Sequence, residues 1–251
     1  MKKIFLLSLL SIFLLYSSCK KEEVKGNSTL TIDVNFTYGD EAFTINQIYD
    51  YDPLGYNLKI EKLMLYISEM KLVDSDGESF DFADILYVDA SDGVTSFSAT
   101  IPEGSYTRLD FAIGVPQSMN GTQNPDFDAA LYSPNHALSL NNGMYWTWNT
   151  GYRFVLIDGR CNTDPMIDEE FETLLSIHTG KDYCFRNTSR NLNFTAIKDG
   201  IGKITLTFDV HGFLASPDDV IDIAIDNQSH GTNEGLANRV SDNVILSIEN
   251  N

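Results

Sequence analysis

Cations are scarce in this chain: its 251 residues hold 17 Lys and Arg against 36 Asp and Glu, a net charge of −19. Gripping a nucleic acid or an anionic membrane surface needs clustered positive charge, so both are excluded as partners and cations are favoured. Cysteine is equally sparse. Three residues are too few for a disulfide-stapled miniprotein or a four-thiolate zinc site. Catalytic signatures are missing as well: there is no G-x-S-x-G elbow, no H-E-x-x-H and no glycine-rich phosphate cradle. The 36 carboxylates offer so many accidental pairs that no glycosidase acid pair can be singled out. The expected role is therefore non-enzymatic. No segment before residue 230 sustains an amphipathic helical period.

What is present is a 43% hydrophobic chain with 15 Phe and 12 Tyr, enough to bury a substantial core. Residues 1–18 combine Lys2 and Lys3 with an apolar run from Ile4 to Tyr16, the layout of a secretory signal peptide and too short for a comfortable transmembrane span. The run ends Leu15-Tyr16-Ser17-Ser18-Cys19, which resembles a bacterial lipobox with an atypical Tyr16. Cys19 is then the lipidated first residue of the mature chain. Residues 19–28 are charged and then small and polar, as a flexible tether would be. The expectation is a lipoprotein anchored to the outer membrane through acyl chains, at the cell surface or on the periplasmic face. Cys161 and Cys184 are the remaining thiols. In an oxidising compartment they are expected to form a disulfide, closing a loop of about 24 residues for roughly 3 kcal/mol.

Residues 29–251 read as one domain. Strict apolar/polar alternation, the period of a half-buried strand, recurs along them. Leu30, Ile32, Val34 and Phe36 form one stripe; Leu109, Phe111, Ile113 and Val115 a second; Ile204, Leu206, Phe208 and Val210 a third. With shorter runs near residues 58–73, 85–88, 97–101, 154–157, 192–194 and 221–225, the pattern is that of an all-β antiparallel β-sandwich. Asp74-Ser75-Asp76-Gly77 and Lys198-Asp199-Gly200 supply hairpin turns. Leu236, Val240, Val244 and Ile245 predict a short C-terminal helix over 234–247. Residues 117–150, with Gly121, Pro125, Pro134 and Gly143, form a long irregular loop, the first place to look for a site.

The chain has four histidines, and none forms an H-x-H or H-x-x-x-H pair. His136, His178 and His230 fall in expected loops, whereas His211 ends the third stripe on its polar side and reads as structural. Both tryptophans, Trp146 and Trp148, lie in Met144-Tyr145-Trp146-Thr147-Trp148-Asn149. Their aromatic neighbours suit a buried anchor or a sugar-stacking platform, so a surface adhesin or glycan-binding sandwich is the alternative function.

The segment from Asn135-His136 through Met144-Tyr145-Trp146-Thr147-Trp148-Asn149-Thr150-Gly151-Tyr152-Arg153-Phe154, followed by Ile157-Asp158-Gly159, resembles the signature of MbnP-like copper-binding proteins. Ile177-His178-Thr179-Gly180 and the ending from His230 through Asn243 are similar to that family too. The resemblance implies a β-rich periplasmic or surface protein that captures or stores copper. It also implies a di-haem cytochrome c peroxidase-like partner that oxidises a tryptophan to kynurenine. On that basis Trp146 or Trp148 is the modified residue, His136 and His178 are ranked first as ligands, and His230 is third. Intact indole offers only an N–H donor, whereas the opened ring carries an arylamine and a ketone, and imidazole suits copper.

Overall fold

The computed structural model describes residues 26–121, 127–147, 151–230 and 233–249. The signal peptide, Cys19 and Trp148 lie outside the described residues. Among the described residues there are thirteen strands: β1 (Asn27–Tyr38), β2 (Glu41–Ala42), β3 (Ile48–Tyr51), β4 (Tyr56–Asp74), β5 (Ser79–Asp89), β6 (Thr95–Pro102), β7 (Gly104–Ile113), β8 (Tyr145–Thr147), β9 (Gly151–Asn162), β10 (Thr173–Gly180), β11 (Arg186–Ala196), β12 (Ile201–Asp209) and β13 (Gln228–His230). Helices are short: α1 (Gln117–Asn120), α2 (Val210–Leu214) and α3 (Glu234–Leu246). The last matches the helix expected over 234–247, and the chain is the all-β sandwich that its alternation predicts.

The smaller sheet centres on β1, paired with β12, β6 and β2. The larger runs β11-β7-β4-β9-β10-β13, with β3 and β5 also on β4 and β8 on β9. The 19-residue β4 is its spine: β9 pairs with the first half and β7 with the second. Two pairings, β1 with β12 and β10 with β13, are parallel. Alternation reports which face a residue takes and not the direction of its neighbour, so these two pairs are invisible in the sequence.

Leu30, Ile32, Val34 and Phe36 are all buried and meet Leu58, Ile60, Leu63 and Leu65 of β4 in the core between the sheets. A second apolar cluster covers the outer face of the larger sheet, where the loop residues Leu138 and Met144 pack on Tyr66, Tyr152, Phe154 and Leu156. The long loop is thus a lid on the sheet, held by Tyr66 and Tyr152 hydroxyls that donate to the carbonyls of Ala137 and Leu138. On β9 the two faces separate cleanly: Val155, Ile157 and Cys161 point between the sheets, while Tyr152, Phe154 and Leu156 point outward.

That division corrects the expected disulfide. Cys161 and Cys184 are free and buried, one in the inter-sheet core and the other in the outer cluster. They belong to opposite faces of one sheet. Cys161 Sγ instead lies 3.9 Å from the carbonyl of Ile223, and burial pushes its thiol up to about 11. Both thiols are protonated packing groups.

Gly159 lets β9 lie close to β4, since a Cβ there would fall 2.3 Å from the Lys59 carbonyl. Backbone on a central strand yields little. Gly159→Ala is expected to cost about 2 kcal/mol, read as a lower urea midpoint with unchanged m-value.

Candidate metal centre

Asp158, Ser176, His178 and His230 meet on the outer face of the larger sheet. In the antiparallel pairing of β9 and β10, Asp158 stands opposite Ser176. Ser176 and His178 are two apart on β10 and share a face. The parallel pairing of β10 and β13 then places His230 opposite His178. Cross-strand register stacks the two imidazoles, with ring centres 4.8 Å apart and planes 13° from parallel. The indole of Trp146, on β8, stands perpendicular to both, 6.2 Å from His178 and 6.1 Å from His230.

The hydrogen bonds assign the tautomers. Burial pushes the Asp158 carboxyl up, but hydrogen bonds from His178 and Ser176 outweigh it and hold the group below the usual carboxylate range. An ionised carboxylate only accepts. His178 Nε2–H therefore donates to Asp158 Oδ1 at 2.8 Å, and Ser176 Oγ–H donates to the same oxygen at 2.7 Å. With its proton committed, Ser176 Oγ accepts from His230 Nε2–H at 2.7 Å. Both imidazoles are left with a bare Nδ1 lone pair. For His178, whose side chain is 8% exposed, that Nδ1 is buried and has no hydrogen-bond partner. A buried acceptor without a partner is costly in a native fold, and a bound cation is one of the few things that repays it.

His230 is exposed, and burial, together with the neighbouring His178, lowers its pKa below the ordinary histidine value. A lowered value keeps the ring neutral and its lone pair free near pH 7. Arg153 completes the surroundings. Its guanidinium carbon lies 5.0 Å over the Trp146 ring, and Nη1 donates to the Gly143 carbonyl at 2.9 Å.

Of the residues singled out in the sequence, the structure brings together His178, His230 and Trp146. His136 lies apart from them. Its ring stacks on Tyr132 at 4.3 Å, its Nδ1 accepts from the Leu138 amide, and it borders a separate hollow of about 320 Å³ with Tyr87 and Phe97. His211 lies in α2, just past the end of β12, and not on the strand the third stripe suggested: its Nε2 pairs with Asp52 at 3.0 Å, and its ring packs on Tyr38 and Tyr51. It lines a separate hollow of about 500 Å³, which contains none of the paired-imidazole residues. Among the described residues no group of three or more His, Cys, Asp or Glu is gathered as a ready cage. The donor set is two nitrogens, with Asp158 behind them.

Sequence reasoning missed Asp158, Ser176 and Arg153. The signal for Ser176 was its position two before His178 in a strand, and Arg153 sat inside the Trp-containing segment. Asp158 lay in the Ile157-Asp158-Gly159 stretch that carries the family resemblance, but nothing there gave it a role among 36 acids.

Fold and site together define a β-sandwich that carries a paired-imidazole centre on its outer face, under a loop-borne tryptophan. The family model MbnP matches residues 27–234, most of the chain, and the protein belongs to the MbnP family. The solved structure of MbnP from Methylosinus trichosporium is similar at 14% identity and a TM-score of 0.46, over 77% of this chain and 79% of that one. No curated protein matches the chain. The family is associated with methanobactin-linked copper metabolism.

Proposed function

We propose that this protein captures or stores copper at the His178–His230 pair, without catalysing a reaction. The observation that carries the reading is the pair of stacked rings with both Nε2–H groups spent on Asp158 and Ser176, so that each Nδ1 keeps its lone pair, that of His178 buried and without a hydrogen-bond partner. Imidazole nitrogen suits copper, which heads the divalent affinity series. A carboxylate behind a metal-binding histidine fixes its tautomer and raises its basicity, and Asp158 is placed to do this for His178. The acidic surface raises the local cation concentration around the site.

Trp146 is the candidate for conversion to kynurenine, because its ring stands against both imidazoles. The oxidant in this reading is hydrogen peroxide, used by a di-haem cytochrome c peroxidase-like partner. Two peroxide equivalents place two oxygens across the indole double bond, and water then removes one carbon as formate. The arylamine and ketone so formed add donors beside the pair. The same reading places the protein at the outer membrane, held by an acylated Cys19 and the tether that follows it.

Titration of the full-length protein with copper in the presence of a competing chelator is expected to show saturable binding of one ion per chain, with quenching of tryptophan fluorescence. Absence of saturable binding contradicts the proposal. Intact mass tests the modification separately: protein made beside its partner is expected to gain about 4 Da, mapped to Trp146.

A further inference from the structure

The protein is strongly acidic, yet the immediate surroundings of the imidazole pair are not. Arg153 lies over Trp146, Lys62 stands opposite Asp158 in the pairing of β4 with β9, and Lys181 lines the same hollow as Trp146 and His178. Against these three cations stand two carboxylates: Asp158, hydrogen-bonded to His178, and Glu234, 3.9 Å from Lys181. Of these five groups the cations outnumber the carboxylates by one, in a chain whose total is −19.

Arg153 accounts for the surplus in a particular way. Its guanidinium is half buried, is hydrogen-bonded through Nη1 to a backbone carbonyl rather than a carboxylate, and has a buried Nε with no hydrogen-bond partner. Burial lowers its pKa, which records how poorly solvated the charge is. A cation held at such a cost beside a cation-binding pair is unfavourable for the ion it faces, and doubly so for a divalent one. We propose that Arg153 is a specificity-determining residue that makes the His178–His230 pair select a monovalent metal ion over divalent ions of similar ligand preference. This rests on the reading of the pair as a copper site.

The size of the effect follows from Coulomb's law. A unit charge on the order of 10 Å from the metal, at an effective dielectric of about 20, penalises each added unit of ion charge by about tenfold in affinity. The selection is thus between Cu⁺ and ions such as Zn²⁺, which share imidazole as a ligand but carry twice the charge.

Competition titrations of the full-length protein with Cu⁺ and with Zn²⁺, on the parent and on Arg153→Gln and Arg153→Lys, test the proposal. Arg153→Gln is expected to shrink the Cu⁺ over Zn²⁺ preference by about tenfold, chiefly through tighter Zn²⁺ binding, while Arg153→Lys keeps it within about threefold. Thermal melts of the metal-free variants check that the fold is retained. An unchanged preference in Arg153→Gln, or equal weakening of both ions, overturns the selection and leaves Arg153 with a packing role. If the parent binds neither ion saturably, the copper reading itself fails; if both ions bind and the ratio does not move, only the charge selection fails.

Discussion

Replacing either His178 or His230 by alanine is expected to lower copper affinity by more than about a hundredfold, and the double replacement to abolish saturable binding. The bound rests on comparison: loss of a group that merely orients a ligand costs about 10–100-fold, and loss of one of only two nitrogen donors must exceed that. The pair is not symmetrical. His178 is buried and its removal strips Asp158 of its Nε2–H donor, whereas His230 is exposed on the short β13. His178→Ala is therefore expected to lower the urea midpoint as well, while His230→Ala leaves stability nearly unchanged. His136→Ala is the control. Its ring stacks on Tyr132 and faces another hollow, and affinity in that variant stays at the parent value. Chelator competition on the four proteins checks all of this, and a loss confined to His136→Ala would contradict it.

The second large effect is expected from Asp158. Neither of its oxygens need touch the metal, yet Asp158→Asn is predicted to weaken copper binding by about 10–100-fold. An asparagine can turn its amide NH₂ toward His178 Nε2, which then becomes the acceptor. The ring proton moves to Nδ1, and the lone pair that faced the metal is gone. The same change breaks the chain from Asp158 through Ser176 to His230, because the serine hydroxyl is no longer drawn to a carboxylate. Ser176→Ala isolates that second arm and is expected to cost less, since it releases His230 alone. Equal affinity for the parent and Asp158→Asn, measured on folded protein, would show that tautomer control plays no part.

How far the sequence discloses this molecule depends on which interactions are local. The stripes of β1, β7 and β12 are legible because side-chain direction alternates with period two whatever the partner strand does. The C-terminal helix is legible for the same kind of reason, in Leu236, Val240 and Val244, all buried. Partnering is not local. His178 and His230 are 52 residues apart, a separation that no motif expresses; they meet because the three-residue β13 runs parallel to β10 in one particular register. A strand reading Gln-Ser-His has no apolar stripe to announce it. His136 and Trp146 look adjacent in the loop, but only Trp146, carried on β8 to the edge of β9, reaches the imidazoles.

The expected disulfide failed for a related reason. Compartment and count argued for a pair, but pairing needs two side chains on one side of a sheet, and Cys161 shares the inward face of Val155 and Ile157 while Cys184 packs outward. Such a face assignment becomes legible only once β9 is aligned against its neighbours.

The most direct test of the copper account is nitrogen-15 NMR of the histidine rings in metal-free and copper-loaded protein. The account predicts that His178 and His230 carry their proton on Nε2 before loading, and that copper shifts the Nδ1 resonances of those two rings and leaves His136 and His211 in place. Protons found on Nδ1 in the metal-free state, or copper shifts centred on His136, would contradict it.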